Sequence, residues 1–533
     1  MRFKGDNMTK RKEQNIQKTT AMIMCILLLS RVLGFVREMI VAKTFGRGME
    51  TDAFYAAFAI PDLMYDLLVA GALSSGFMPV FGSYLANDDE DNGWKAANTF
   101  ITVALIIILI FNALGITFAK QLIPLVAYGN TKDPEKYALT VKLTRIMFTG
   151  VTFTVLAGLC KGILESYKKF LTPAIGPVLY NVGIIAGAIV FGKGLNMGIY
   201  GMAIGVIIGA FFNFFVQYPE FRRVGTRFKF ELNLKNEGYR RMLSLMVPAL
   251  IGSSINRINL LVNTNVASVL DTGSITALRY AQRIMMLPVG IFGAGILTTI
   301  FPVMNSQIAK KEIDEYKETL CTGLRVLFFI TIPCVIGLIV LNLPIVRLLF
   351  RTGHFTEGDA RITALALSYY SIGVLGNSAV PIIIRAFYSI QDTKTPLYVG
   401  LITAAFNTVL NIAFVKFSNL AVSGIALTSA LASCLEMVIL YILLSKKMNG
   451  LRTRELSISF IKSSISAFAM GGATYMSSKF IESKIGFATK SVQLVNVAVS
   501  MLIAIIVYFA FAYILRMPEL DHVTGIIKEK IKR

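Results

Sequence analysis

Apolar segments of about 20 residues alternate with short polar segments along almost the whole chain. Three of the apolar segments, 101–119, 198–217 and 492–515, contain no charged residue. About 20 apolar residues in an α-helix are enough to cross a bilayer. The pattern predicts an all-α integral membrane protein with about fourteen transmembrane helices. These helices are predicted to begin near residues 19, 52, 96, 137, 172, 198, 236, 273, 318, 358, 396, 421, 455 and 492.

Basic residues lie mainly in the predicted loops and tails. The chain has 53 lysines and arginines against 31 aspartates and glutamates, which gives a formal net charge of +22. Such an excess is common in nucleic-acid-binding proteins, but clustering between apolar segments is typical of cytoplasmic loops. We therefore expect no nucleic-acid partner, and we place the tails 1–18 and 517–533 in the cytoplasm. The acidic loop 87–95 should also be cytoplasmic, since acidic residues carry little weight in this rule.

The chain contains an internal duplication with a constant offset of 223 residues. The pairs include Pro79 with Pro302, Ser166 with Ser389, and Pro173 with Pro396. Six helices in each repeat would give both lobes the same orientation and a cleft between them, which is typical of transporters. The predicted organisation is an N-lobe at 19–218, a basic linker at 219–235, a C-lobe at 236–449 and an added helix pair at 450–516.

Polar and charged residues inside the predicted spans are the main functional candidates. A charge at the centre of a bilayer costs about 2.5–3.5 kcal/mol on insertion scales, so such residues usually serve a function. Residues three or four apart share one face of a helix, as Thr276, Arg279 and Arg283 do. The candidates for ligand binding are Arg31, Arg37, Glu38, Asp52, Arg257, Thr276, Arg279 and Arg283.

Arginines outnumber carboxylates among these candidates, which favours an anionic ligand. A guanidinium group stays charged and can hold phosphate oxygens through two parallel hydrogen bonds. Glu38 and Asp52 have the alternative role of counter-charges to the arginines. Lys142, Arg347 and Arg385 lie close to predicted helix ends, where we expect their long side chains to reach the membrane surface.

The sequence contains no P-loop, no cluster of metal ligands and no nucleophile with a neighbouring base. This disfavours an ATPase or a metalloenzyme, and we expect a transporter without a cofactor rather than an enzyme. A membrane glycosyltransferase or polymerase is an alternative, although the longest predicted loop has only about 20 residues. Asn407 and Asn411, four residues apart, are a candidate cation site without a nearby carboxylate.

Four segments resemble the MurJ (MviN) family of lipid II flippases, in the multidrug/oligosaccharidyl-lipid/polysaccharide exporter superfamily. They are SRVLGFVREMIVAKTFGRGMETDAFYAAFAIPDL with GALSSGFMPVF, YAQRIMMLPVGIFGAGILTTIFPVM, LLFRTGHFTEGDA and AFYSIQDTKTP. The resemblance covers nearly the whole chain. It implies fourteen helices, with two six-helix lobes and a carboxyl-terminal pair that forms a groove for the lipid tail.

The resemblance also implies roles for individual residues. Family arginines that are important for function match Arg31, Arg37 and Arg283, while the family's aspartate and small hydroxyl residue match Asp52 and Thr276. The chain departs from the family where many members carry two arginines and then a glutamate. Tyr65, Asp66 and Ala70 stand there instead, so one expected cation is absent, and Arg257 or Arg279 is our candidate to replace it.

The expected function is therefore transfer of lipid II from the inner to the outer leaflet of the bacterial cytoplasmic membrane by alternating access. Lipid II is undecaprenyl-pyrophosphate-linked disaccharide–pentapeptide, the precursor of the cell wall. A coupling cation (sodium or proton) or the membrane potential would drive the cycle, and the expected partners are membrane lipids and the cell wall synthesis machinery. The alternatives are an exporter of another polyprenyl-linked oligosaccharide and a cation-coupled small-molecule antiporter.

Overall fold

The computed structural model describes residues 2–71, 73–417 and 420–520, with the backbone alone for 2–18, 68–70, 249 and 251–256. These residues form α-helices and contain no β-strand, which confirms the predicted all-α class. The helices are α1 (Arg2–Phe45), α2 (Met49–Tyr65), α3 (Met78–Ala86), α4 (Glu90–Thr117), α5 (Ala119–Val126), α6 (Pro134–Ser166), α7 (Leu171–Ala186), α8 (Ile199–Arg223), α9 (Glu237–Ser268), α10 (Ser274–Pro288), α11 (Ala294–Ala309), α12 (Ile313–Val340), α13 (Asn342–Phe350), α14 (Glu357–Ile372), α15 (Val374–Ser389), α16 (Lys394–Phe417), α17 (Ala421–Lys447), α18 (Thr453–Ile485) and α19 (Lys490–Ile514).

Eleven helical segments of the described residues are long and apolar enough to cross a membrane. The predicted spans at 49–86, 237–268 and 453–485 are not among them. Both α9 and α18 are more than 30 residues long, but they contain many serines and several charged side chains. The chain is thus a multi-pass membrane protein, and the count of fourteen spans stays a prediction.

The helix bounds repeat at the offset found in the sequence. Adding 223 to the bounds of α4, Glu90–Thr117, gives α12, Ile313–Val340. The same shift converts α6, Pro134–Ser166, into the start of α14 at Glu357 and the end of α15 at Ser389. Because these helix starts and ends coincide in both halves, the structure agrees with the duplication found in the sequence, and the number of six helices in each repeat stays a prediction.

The second helix of each repeat is irregular at the same place. The second predicted span contains π-helical segments at Asp66–Gly71 and Leu73–Phe77. The corresponding helix of the second repeat contains one at Val289–Gly293, which begins 223 residues after Asp66. A π-helical turn leaves part of the backbone ladder widened and is often found at functional sites. Glycine and proline are frequent in both regions, as at Pro61, Gly71, Pro288 and Gly290, and they favour such irregular helices.

The chain divides into two compact units, Met1–Gly273 and Ser274–Arg533. The first has a core around Phe77, Phe81 and Trp94. The second has a core around Tyr316 and Phe329. Helix α9 belongs to the second repeat by sequence, yet it packs on α4 and the π-helical segments of the first unit. Compact unit and sequence repeat therefore end at different residues, and the predicted lobe bounds stay predictions.

Helices α7 and α8 approach each other closely through glycines. A Cβ atom on Gly183 would lie 2.4 Å from the Cα of Gly209. Similarly, a Cβ atom on Gly187 would lie 2.5 Å from the Cα of Gly205. Small residues let the backbones of membrane helices come into contact, and the resulting packing holds the helices together where lipid supplies no hydrophobic driving force.

We expect Gly183→Ala to lower the free energy of unfolding by about 1–3 kcal/mol, because the new methyl group must push α8 away. Gly82→Ala in α3 is the matched control, since its Cβ atom would meet nothing within 4 Å. Alanine is the better helix former by about 1 kcal/mol, so the control should be neutral or slightly stabilising. Thermal unfolding of the two purified variants in detergent measures the difference. Equal melting temperatures would contradict the close approach of the two backbones.

Candidate functional site

Glu38 of α1 is the centre of a buried polar cluster in the first unit. Its side chain is only 1% exposed. One carboxylate oxygen accepts a hydrogen bond from Arg37 Nη2 at 2.7 Å, and the other accepts one from Tyr55 OH at 2.5 Å. Arg37 Nη1 also donates to Asn181 Oδ1 at 3.2 Å. We call Arg37, Glu38, Tyr55 and Asn181 the Glu38 cluster.

The Glu38 cluster joins three helices, because Tyr55 lies on α2 and Asn181 lies on α7. The amide of Asn181 is itself held by a hydrogen bond from Nδ2 to the carbonyl of Pro177 at 2.9 Å. Charged hydrogen bonds in a medium of low dielectric constant are strong and directional. The geometry therefore supports the counter-charge role for Glu38, which orients the guanidinium group of Arg37.

Asp52, at the start of α2, forms a second buried ion pair in the first unit. Its Oδ2 atom lies 3.0 Å from Lys136 Nζ and also accepts a hydrogen bond from the backbone N–H of Gly273 at 2.7 Å. Asp52 and Lys136 are 1% and 4% exposed. Lys136 is positioned by the first turn of α6, where the Asp133 carboxylate caps the N–H groups of Glu135 and Lys136. Asp52 is thus engaged within the protein, and its predicted contact with a ligand stays a prediction.

Arg257 of α9 pairs with Asp66, at the position where the chain departs from the family pattern. Arg257 Nη2 lies 2.5 Å from Asp66 Oδ2. The two side chains are 37% and 14% exposed. A carboxylate so close neutralises the guanidinium charge, so this pair adds no net positive charge to the first unit. Arg257 is therefore a poor substitute for the absent family cation, and replacement of that cation by Arg257 or Arg279 stays a prediction.

In the second unit, α10 positions Thr276, Arg279 and Arg283. Thr276 is fully buried, Arg279 is partly exposed and Arg283 is exposed. In the first unit, Arg31 is likewise exposed on α1, six residues before Arg37. The exposed guanidinium groups are accessible to a ligand, but the clamp predicted from Arg31, Arg37 and Arg283 stays a prediction.

An apolar cavity of about 510 Å³ lies within the second unit. Its polar lining groups are already engaged, as Tyr508 OH donates to the backbone carbonyl of Phe329 at 2.6 Å. The cavity is lined by α10 and the turn after it, α12, α13 and the added helices α18 and α19, with Leu287, Ile291, Pro333, Met470, Met501 and Ile505 as representatives. Such a surface suits a hydrocarbon chain.

The candidate cation site at Asn407 and Asn411 is fully buried in α16. Asn411 Nδ2 donates to Asn407 Oδ1 at 2.9 Å, and the hydroxyl of Thr428 donates to Asn411 Oδ1. Both amide oxygens therefore already accept hydrogen bonds from side chains. Within the described residues, no group of three or more His, Cys, Asp or Glu side chains could hold a metal ion. A coupling cation stays a prediction.

Sequence reasoning missed Tyr55, Lys136 and Asn181, which contact the predicted Glu38, Asp52 and Arg37 respectively. Lys136 precedes the apolar part of its span, and Asn181 is an isolated amide in the apolar α7. A polar residue inside an apolar span was therefore a usable signal for Asn181. The expectation that Arg347 reaches the membrane surface was wrong, because Arg347 is 4% exposed and pairs with Glu357 and Glu482.

The comparisons with known proteins agree on one family. The family model of lipid II flippase MurJ matches residues 41–495. The lipid II flippase MurJ of Burkholderia cenocepacia is 33% identical over 424 residues, which cover 79% of this chain and 82% of that protein. The probable lipid II flippase MurJ of Bdellovibrio bacteriovorus is 27% identical over 517 residues, with 96% and 97% of the two chains covered.

A solved structure of the same family also matches this chain. A lipid II flippase MurJ in an inward closed conformation matches with a TM-score of 0.78 and 27% identity, and the match covers 93% of this chain and 98% of that one. A multidrug resistance MATE family transporter of the MOP superfamily, in an inward-facing conformation, matches with a TM-score of 0.67 and 14% identity. That match covers 80% of this chain and 98% of the transporter, and it shows a shared fold.

Proposed function

We propose, from the premise that the chain belongs to the MurJ family of lipid II flippases, that it moves lipid II from the inner to the outer leaflet of the bacterial cytoplasmic membrane. It would act as a transporter by alternating access, with both termini in the cytoplasm. Lipid II combines an anionic pyrophosphate head group with a long polyprenyl tail. A protein that moves it needs a cationic site and an apolar site next to each other.

Helix α10 carries this proposal, because it joins both kinds of site within the second unit. Arg283 is exposed on α10, and Leu287 follows it four residues later, just before the π-helical segment that contains Ile291. Residues four apart lie on one stripe of a helix, about 6 Å apart along its axis. Leu287 and Ile291 line the apolar cavity beside α18 and α19. A pyrophosphate on Arg283 would thus have its tail directed to that cavity.

The membrane potential would favour outward movement of such an anionic ligand. A potential that is negative inside contributes about 2.3 kcal/mol per charge for each 100 mV. Arg31 and Arg37 stay the ligand candidates of the first unit, although Glu38 offsets the charge of Arg37 as Asp66 offsets that of Arg257. Arg279, on the same helix face as Arg283, would contact the remaining polar part of the head group, whereas the buried Thr276 would support that face from within the protein.

The proposal predicts that Arg283→Ala lowers lipid II translocation by about tenfold or more, which corresponds to ~1.4 kcal/mol of lost binding in the transport cycle. A leaflet-resolved lipid II assay in proteoliposomes measures this. Arg223→Ala at the exposed end of α8 is the control and should translocate normally. Arg283→Lys should be intermediate, because a lysine keeps the charge but loses the bidentate grip. Unchanged translocation by Arg283→Ala would refute the arginine site.

Depletion of the protein in cells tests whether the substrate is lipid II or another polyprenyl-linked oligosaccharide. We expect lipid II to accumulate in the inner leaflet when the protein is depleted. Normal lipid II distribution together with accumulation of a different polyprenyl-linked sugar would transfer the proposed activity to that substrate.

A further inference from the structure

The segment 224–236, between α8 and α9, alternates apolar and polar residues without forming a helix or a strand. Four of its apolar side chains are exposed: Phe228 at 41%, Phe230 at 72%, Leu232 at 56% and Leu234 at 53%. Between them stand Lys229, Glu231 and Asn233. Successive side chains of an extended chain point to opposite faces, so Phe228, Phe230 and Leu232 share one face, and Leu234 follows in a turn. That face is not covered by any described part of the chain.

Side chains of α4 hold the backbone of this segment. Asn98 Nδ2 donates to the carbonyl of Arg227 at 3.2 Å, and the N–H of Lys229 donates back to Asn98 Oδ1 at 3.2 Å. The N–H of Glu231 donates to Thr102 Oγ1 at 3.2 Å. In addition, the guanidinium group of Arg227 pairs with Asp91 in the first turn of α4.

The spacing of these contacts shows that the segment runs extended along α4. Lys229 and Glu231 are two residues apart and bind Asn98 and Thr102, which are four apart on the helix. Two residues of extended chain advance about 6.6 Å, and four residues of an α-helix advance about 6 Å. The two advances match, so both contacts form without a bend in the segment, and its side chains keep their alternation.

The contacts also place the segment at the edge of the membrane. The uncharged run of α4 begins at Ala96, directly after Lys95, so Asn98 and Thr102 lie where that helix enters the apolar part of the bilayer. The preceding helix, α8, exposes Phe215 and Tyr218 close to its end. The exposed apolar face of the segment therefore continues the lipid-facing surface of a membrane-spanning helix.

We propose that the segment 224–236 is a membrane-interface anchor, with Phe228, Phe230, Leu232 and Leu234 inserted among lipid acyl chains. An extended segment can present an apolar face of side chains to lipid when one edge of its backbone is hydrogen-bonded to protein, as it is here. Basic residues outnumber acidic ones around the segment, which suits an anionic bilayer surface; the acidic residues are Glu220, Glu231, Glu237 and Asp91, which pairs with Arg227. The basic residues in and beside the segment are Arg222, Arg223, Arg227, Lys229, Lys235, Arg240 and Arg241. The anchor would hold the connection between the two sequence repeats at the membrane surface, whatever the transported substrate.

Tryptophan fluorescence of the full chain in vesicles of phosphatidylethanolamine and phosphatidylglycerol tests this anchor. Phe230→Trp should shift its emission to shorter wavelength, and acyl chains brominated near the interface should quench it. Lys229→Trp is the matched control on the opposite face, and both positions are exposed, so neither variant should disturb folding. Trp94 is the chain's one tryptophan and is buried, so it adds the same background to both variants.

We expect quenching of Trp at position 230 to be at least twofold stronger than at position 229. Equal quenching at the two positions would overturn the oriented insertion. Emission typical of water at position 230, without quenching, would overturn membrane insertion altogether. Neither measurement depends on lipid II, so failure of the anchor is distinguishable from failure of the proposed transport function.

Discussion

Arg347→Ala should lower the free energy of unfolding by about 3–5 kcal/mol, the usual effect of removing one member of a buried ion pair. Arg347 Nε lies 3.0 Å from Glu357 Oε1, and its Nη1 lies 2.6 Å from Glu482 Oε1. The guanidinium group also stacks over the ring of Phe487, with 4.1 Å between Cζ and the ring centroid. Alanine would remove the buried guanidinium group that joins the two carboxylates, leaving Glu357 with Arg351 and Arg361 and Glu482 with Lys479. Unfolding of the purified chain in detergent, by heat or by denaturing detergent, measures the loss.

Arg361→Ala is the control for this prediction, because Arg361 pairs with the same Glu357 at 3.6 Å but is 70% exposed. Exposed ion pairs contribute about 0–1 kcal/mol, so this variant should unfold almost normally. Adding Glu357→Gln and Glu482→Gln to Arg347→Met should recover part of the lost stability, since the basic partners that remain, Arg351, Arg361 and Lys479, are more exposed than Arg347. A destabilisation by Arg361→Ala equal to that by Arg347→Ala would show that burial of the pair is unimportant.

The contacts of Arg347 with Glu357, Glu482 and Phe487 also explain how the added helix α18 is attached to the rest of the second unit. Glu482 and Phe487 lie at the end of α18 and just after it. At the other end, Arg325 of α12 lies 2.7 Å from Glu519 and 3.1 Å from Glu455. Helix α18 has 33 residues and is therefore about 50 Å long, so the two attachments are far apart. Contacts at both ends keep the wall of the apolar cavity in a constant position relative to α12.

The helices and their duplication could be predicted from the sequence, because both depend on patterns along the chain. Hydropathy located α4, α6 and their repeats, and matched prolines such as Pro79 and Pro302 disclosed the offset of 223 that the helix bounds reproduce. The compact unit that contains α9 could not be predicted in this way. The packing of α9 on the first unit depends on side chains that are distant in sequence. The spacing of apolar residues does not show which other helices a membrane helix contacts.

The partners of the charged residues could not be predicted from the sequence either. Spacing on one helix placed Arg37 beside Glu38, but Asn181 is 144 residues away from Arg37. Arg347 was expected at the membrane surface because it stands near a helix end, whereas its partner Glu482 comes from a helix outside the repeats. The excess of arginine over carboxylate indicated an anionic ligand from the sequence alone, but it did not show the ion-pair partners. Which arginine is neutralised inside the protein, as Arg257 is by Asp66, required the structure.

Asp52→Ala should likewise lower the free energy of unfolding by about 3–5 kcal/mol. It removes the carboxylate from the buried ammonium group of Lys136, 3.0 Å away, and the acceptor of the Gly273 N–H. Thermal unfolding in detergent checks the loss, and Glu135→Ala is the control, because its exposed side chain lies beside Lys136 in the same helical turn. A melting temperature for Asp52→Ala equal to that of the control would contradict the buried pair.

The double variant Asp52→Asn with Lys136→Met separates a structural role of Asp52 from a contact with the ligand. The asparagine can still accept the hydrogen bond from Gly273, and the methionine fills the space of the lysine without its charge. We expect strong coupling between the two sites, so that the double variant is more stable than Asp52→Asn alone. We also expect the double variant to translocate lipid II at the normal rate per folded molecule. The reason is that Asp52 is 1% exposed and its Oδ2 atom is engaged by the protein. A double variant that is stable but does not translocate lipid II would instead establish the aspartate as a direct contact of the substrate.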